Sequence, residues 1–257
     1  KTTVDNPSHA FEFRQDYIPT PSHAFEFRQA YIPTPSHEFE FRNKVGATTI
    51  TDTYDSSVVA TPYNGLAFST AGAEFDGVDN YLDVTSFEFG GNFTIEMYLA
   101  LNEIGGGQPH IFQTADYDAV SYPQYPYWDD LIIFAVAGSG GGAKARGYWG
   151  PQGSAPAVAT GSNFFEANVW VHMVYTVFGT THKIYKNGEL VATETANHNK
   201  SVKVQTRDFT MFGGGVFNSD GTIDYNAQGG MIDGTIGYAR FWNCLLYTSD
   251  AADESDR

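Results

Sequence analysis

Cysteine is nearly missing from this 257-residue chain: Cys244 is the only one. No internal disulfide can form, and the redox compartment stays open. Basic residues are scarce too, with 14 Lys and Arg against 30 Asp and Glu and a formal net charge of −16. Phosphate backbones are gripped by clustered Lys and Arg, so this balance argues against nucleic acid as a partner. No apolar run approaches the ~20 residues that a membrane-crossing helix needs, and membrane insertion is not expected. No stretch carries the 3.6-residue spacing of an amphipathic helix. Lys1 follows neither an initiating Met nor a signal-peptide pattern and reads as a cut edge.

What is abundant points one way. Aromatics make up 16% of the chain, with 20 Phe and 16 Tyr, and there are 27 Gly. Aromatic and β-branched side chains fit pleated surfaces, while Gly supplies the positive φ of tight turns. With 42% hydrophobic residues the chain can build a real core.

Both ends stand apart from the body. A 14-residue unit, PSHAFEFRQDYIPT at 7–20, returns at 21–34 with one change, Ala30 for Asp16, and a third, diverging copy starts at Pro35. Each unit holds one alternating run, FEFR, and a Pro-bounded link, so it cannot bury a face by itself. The third copy runs into the body and is read as the true first strand. Residues 1–36 are then a repetitive arm bearing two surplus copies, and His9, His23 and His37 recur as passengers of the repeat. A spare copy could also replace the native strand, since identical sequence pairs identically. At the other end, CLLYTSDAADE at 244–254 is similar to the translation of a transposon-end sequencing adapter. On that reading residues 244–257 are a non-native tail, and the domain covers 37–243.

Inside those bounds the period is two. NFTIEMYLAL (92–101) alternates Phe93, Ile95, Met97 and Leu99 with Thr94, Glu96 and Tyr98, which predicts a strand with one buried face. DDLIIFAVAG (129–138) is a continuous apolar run, as expected of a central strand. VWVHMVYTVFG (169–179), FTMFGGG (209–215) and GTIGYARFWN (234–243) add further strands, with Trp170, Phe241 and Trp242 read as core. In THKIYKNGELVATET, Asn187-Gly188 between two alternating runs predicts a hairpin with a type I′ turn. The Gly-rich stretch 138–161 is read as a flexible β-connection, since it lacks the strand-to-helix context of a phosphate cradle. In all, ten to thirteen short strands are expected.

The order of EFDGVDNYLDV (74–84), FTIEMYLAL, WVHMVYTV, KIYKNGELVA and DGTIGYARFWN resembles the laminin-G-like, concanavalin A-like lectin superfamily, and within it the pentraxin-like jelly-roll modules. The resemblance spans about residues 37–243. It implies an all-β, antiparallel two-sheet jelly-roll sandwich, an extracellular or cell-surface setting, and glycan or extracellular protein partners. Calcium is frequent but not universal among such modules.

Candidate site residues cluster in the insertion 113–130. Tyr117, Tyr122, Tyr125, Tyr127 and Trp128 could form a platform for sugar rings, which stack their C–H faces on aromatic faces, and Tyr148 and Trp149 could extend it. The alternative is a hydrophobic lid over one sheet. Asp116, Asp118, Asp129 and Asp130 are the first candidates for calcium, because hard cations need several oxygen ligands from carboxylates and loop carbonyls. Asp76 and Asp79 are read as turn caps. Asn218, Asp220, Asp224 and Asn226 form a weaker oxygen-rich loop. His110 and His182 have no partner nameable from sequence, and His172 is read as structural.

Relatives of this fold include glycoside hydrolases, which need two carboxylates ~5–5.5 Å apart for retaining hydrolysis. The E-x-D-x-x-E string of the related glucanases is absent. Glu38 and Glu40 share a face but sit in the first strand, and Glu96 stands alone on its strand. A non-catalytic carbohydrate-binding or adhesion module is therefore expected, with a protein-interaction module lacking a sugar site as the alternative.

Overall fold

A computed structural model of the chain describes residues 33–103, 109–116, 129–137, 144–150, 158–161, 163–195, 202–214, 216–217, 223–224 and 230–244. They lie in one compact unit, Pro33–Arg257. In chain order the strands are β1 (His37–Glu40), β2 (Ile50–Thr51), β3 (Val59–Tyr63), β4 (Ala67–Phe68), β5 (Ala73–Asp76), β6 (Tyr81–Val84), β7 (Glu88–Phe89), β8 (Phe93–Leu101), β9 (His110–Asp116) and β10 (Asp129–Ala137). There follow β11 (Lys144–Gly150), β12 (Val158–Ala159), β13 (Val171–Phe178), β14 (Thr181–Lys186), β15 (Glu189–Thr195), β16 (Gln205–Thr206), β17 (Phe209–Phe212), β18 (Val216–Phe217), β19 (Ile223–Asp224) and β20 (Asp233–Trp242). No helix occurs among the described residues. The strands outnumber the expected ten to thirteen because seven of them are two-residue pieces, too short for an alternating pattern to register.

Two eight-stranded antiparallel sheets carry the fold. The first runs β15-β14-β13-β8-β20-β5-β4, and the second β12-β11-β10-β9-β17-β6-β3-β2. One edge of the long β20 is shared: β5 pairs with Asp233–Ile236, and β1 takes the stretch from Tyr238 to Phe241. The other edge lies along β8, with a bulge between Ile236 and Tyr238. The all-β, two-sheet sandwich expected from alternation is thus the fold observed.

Alternation explains the core. Along β8, Phe93, Ile95, Met97 and Leu99 have no solvent exposure, while Glu96 and Tyr98 on the opposite face are half-buried. Aromatic rings join the two sheets: Phe39 of β1 and Phe41 just after it meet Phe212 of β17 at 6.1 and 5.8 Å, and Phe241 meets Phe112 of β9 at 4.9 Å. A buried Phe contributes about 1.5–3 kcal/mol through transfer from water, so each ring of this seam helps hold the layers together.

The Asn187-Gly188 turn has φ of 51° and 87°, as a type I′ hairpin requires, and it links β14 to β15. The 138–161 stretch departs from expectation, because β11 and β12 lie within it. Glycine-rich composition hid β11, whose pairing with β10 spans seven residue pairs, from Leu131–Gly150 to Ala137–Lys144.

Candidate functional site on the outer face of the first sheet

The first sheet turns a polar and aromatic surface away from the core. Register stacks it in two rungs. Glu38 of β1 stands opposite Arg240 of β20, which stands opposite Glu96 of β8. One rung on, Glu40 faces Tyr238, Tyr238 faces Tyr98, and Tyr98 faces His172 of β13. Residues distant in sequence meet here because a strand's odd and even positions split between core and solvent.

The rings form a row with Tyr98 in the middle. Trp170 lies 4.7 Å from Tyr98 at 20°, and Tyr238 lies 5.8 Å from it at 21°. Two guanidinium groups cover Tyr238, with Cζ of Arg240 at 4.4 Å and Cζ of Arg42 at 5.0 Å from its centroid. Cations favour the electron-rich face of an aromatic ring. The row fits because Gly237 is beneath it: a Cβ there would stand 3.3 Å from Tyr98 Cδ1 and 3.4 Å from Trp170 Cζ3.

Around the rings runs a charge network. Glu96 Oε1 accepts the Tyr238 hydroxyl at 3.0 Å and lies 2.8 Å from His172 Nε2 and 3.6 Å from Arg240 Nη1. Arg240 Nε donates to Glu38 Oε1 at 2.6 Å, and Arg42 makes a two-point contact with Glu40 at 2.7 and 2.6 Å. Burial opposes ionisation of Glu96, but the His172 hydrogen bond and charge, the Tyr238 hydroxyl and Arg240 outweigh it and hold the carboxyl below its ordinary range. Glu40 is likewise lowered: burial resists ionisation, and the Arg42 hydrogen bonds and charge overcome it. Burial first, then the neighbouring Glu96, pushes the Tyr238 hydroxyl well above the ordinary tyrosine range. Tyr238 therefore remains a donor at any working pH.

Several sequence readings change here. Trp170 is not core; it is half-buried at the end of the ring row. Phe241 is core, with no exposure, and Trp242 is buried with its Nε1 donating to the Pro33 carbonyl at 2.7 Å. His172 is part of the surface network. His110 and His182 gain partners: His110 Nδ1 is 2.8 Å from Gln113 Oε1, and His182 Nδ1 is 2.7 Å from the Tyr175 hydroxyl. Glu96 is alone on its strand but not in space. Asp76 does cap its own turn, Oδ1 accepting from the Val78 amide at 2.9 Å.

The expected loop site is placed only in part. Tyr117, Asp118, Tyr122, Tyr125, Tyr127 and Trp128 fall outside the described residues, as do Asn218, Asp220 and Asn226. Asp116 and Asp129 end and begin paired strands and stand opposite each other in register, with Asp130 next in β10. Tyr148 and Trp149 lie in β11, opposite Ile133 and Ile132. Among the described residues no group of three or more His, Cys, Asp or Glu is gathered closely enough to hold a metal ion.

The two-sheet antiparallel sandwich sets the class of molecule. The chain belongs to the concanavalin A-like lectin/glucanases superfamily, whose family model matches residues 76–251. No curated protein sequence matches it. Among solved structures, domain 4 of AbnA, a GH43 extracellular arabinanase from Geobacillus stearothermophilus in complex with arabinotriose, superposes with a TM-score of 0.58 at 13% identity, covering 86% of this chain and 97% of that one. Trypanosoma rangeli sialidase in complex with sialic acid gives 0.57 at 14% identity, over 86% of this chain but 33% of the sialidase, so the chain spans about a third of that enzyme. A heptameric SAP-like pentraxin from Limulus polyphemus gives 0.53 at 14% identity, over 70% of this chain and 78% of the pentraxin. These likenesses are of fold. No helix among the described residues is long and apolar enough to cross a membrane, which says nothing of β-barrels.

Proposed function

We propose that this domain is a non-catalytic glycan-recognition module of an extracellular or cell-surface protein, and that the outer face of its first sheet is the binding surface. The observation that carries the reading is the row Trp170–Tyr98–Tyr238. Among the described residues Trp170 has one ring neighbour, Tyr98, at one end of the row. Sugar C–H faces stack on such a ring while their hydroxyls bond to flanking carboxylates and guanidinium groups. The ligand class is a neutral oligosaccharide. Glu38, Glu40 and Glu96 outnumber Arg42 and Arg240, and both arginines are already engaged by carboxylates. The fold neighbour in complex with arabinotriose supports an oligosaccharide ligand.

Binding without cleavage fits the electrostatics. A glycosidase needs one carboxyl with a raised pKa to protonate the leaving oxygen. On this face Glu96 and Glu40 are moved the other way. Asp83, which burial does push up, sits in β6 of the second sheet. The aromatic connection 117–128 between β9 and β10, with Tyr148 and Trp149, is proposed as a second contact region, and Asp116, Asp118, Asp129 and Asp130 as its calcium ligands.

The test is a glycan array on the full chain, with and without calcium, comparing the parent with Trp170→Ala. Retained neutral-glycan signal in Trp170→Ala removes the sheet face from the proposal. A flat array for the parent under both conditions removes the glycan reading and leaves protein recognition.

A further inference from the structure

The slot that β1 occupies is specified by few residues, and the chain spells most of them again. Phe39 and Phe41 have no exposure and pack on Phe212 and Phe241. The His37 ring lies 4.1 Å from that of Phe87, with Nδ1 3.3 Å from Asp52 Oδ2. Asp52 Oδ2 also accepts the Glu38 backbone amide at 3.0 Å, a bond indifferent to the side chain at that position. The approach is fixed as well: the Pro33 carbonyl accepts from Trp242 Nε1, the Ser36 amide donates to the Phe241 carbonyl at 2.7 Å, and Ser36 Oγ accepts from the Asn243 amide at 3.3 Å.

Residues 19–28, PTPSHAFEFR, repeat 33–42, PTPSHEFEFR, at every position except Ala24 for Glu38. Every contact above uses the backbone or a side chain that the earlier copy also has. The first copy is a poorer match, since Asp5-Asn6 precede its Pro7 where the others have Pro-Thr. Two features favour the third copy. Glu38 alone supplies the carboxylate bonded to Arg240 Nε at 2.6 Å. Asn43, next after Arg42, takes a φ of 58°, which Asn tolerates better than Gln29, its counterpart after Arg28.

We propose that residues 23–28 are an alternative first strand, taking the place of β1 beside β20 in a minor population of monomers. The exchange shifts the chain by one 14-residue repeat and loops out residues 29–42. The exchange closes a new 14-residue loop, and that closure entropy keeps the exchanged form in the minority. The exchange also alters the recognition face. Ala24 stands where Glu38 stood, so Arg240 Nε loses its 2.6 Å carboxylate partner while Nη1 keeps Glu96 Oε1 at 3.6 Å.

The experiment is one of rescue in the full chain. In Phe39→Ser/Phe41→Ser the native strand is disabled. In a second variant Phe11, Phe13, Phe25 and Phe27 are also changed to Ser, and a third carries only those four changes. Emptying two buried Phe sites without replacement lowers Tm by roughly 15 °C or more. The expected result is that the double variant, monomeric by size-exclusion chromatography, melts at least ~10 °C above the six-fold variant. The four-fold variant should melt within ~2 °C of the parent, its native β1 being intact. Equal melting of the double and six-fold variants overturns the proposal, as does rescue confined to a dimer.

Discussion

His172 Nε2 lies 2.8 Å from Glu96 Oε1, across the ladder between β13 and β8. The same oxygen takes the Tyr238 hydroxyl from the opposite side, so one carboxylate ties three strands together on the solvent face. That face is therefore ordered before any ligand arrives. A pre-organised polar surface spends less binding energy on ordering side chains.

Glu96→Gln keeps the shape and removes the charge. Hydrogen bonds to a charged group are worth ~1.5–3 kcal/mol, so the variant should lose about 1–3 kcal/mol at pH 7. The sign follows from the lowered folded-state pKa. The parent holds this stabilisation above the unfolded carboxylate pKa and loses it as pH falls through the folded value. In urea titrations the gap between the two proteins should begin to narrow as pH falls past the ordinary glutamate range and close only below the lowered folded-state value. A constant gap down to the lowest pH would show that Glu96 contributes through shape alone.

His110 tests a different pH window. Burial drives its pKa down to about 4 despite the opposing hydrogen bond to Gln113, so the folded state holds it neutral. An unfolded histidine takes up its proton near 6.5, and the unfolded state therefore gains ground as pH falls from about 6.5 to about 4. The loss should approach ~3 kcal/mol. His110→Gln should flatten the stability profile across that window while leaving the acid limb due to Glu96. An unchanged profile would place the imidazole in contact with water.

Phe241 is the ring hub of the core, meeting Phe39, Phe87, Phe89, Phe112 and Phe212 within 4.9 to 6.3 Å. Phe241→Ala should cost about 3–5 kcal/mol and lower Tm by roughly 10 °C. Calorimetry showing a shift under ~3 °C would mean that the two sheets close over the vacancy.

Trp170→Ala separates recognition from stability. With the terminal ring gone, neutral-glycan affinity should drop roughly tenfold or more, and Tm should move by only a few degrees because the ring is half-buried. Trp128→Ala, in the connection between β9 and β10, is the parallel experiment. Loss of binding there, with Trp170→Ala unaffected, transfers the site to the second sheet.

The residue pattern alone determined the layered β fold. Alternation of Phe93, Ile95, Met97 and Leu99 requires one buried face, and Asn187-Gly188 requires a reversal, because both follow from local geometry. The recognition face was legible only as scattered polar residues at outward positions. The sequence shows Glu96, His172, Tyr238 and Arg240 each flanked by core residues, but it does not show which strands lie side by side. Strand order and register put them together. Those depend on which apolar faces close over one another, a choice made by the whole core. Trp170 was misread for the same reason: a large aromatic beside a strand reads as core until the strand's facing is known. Only the tertiary structure decided that β8 lies between β13 and β20, and hence that four distant side chains share one surface.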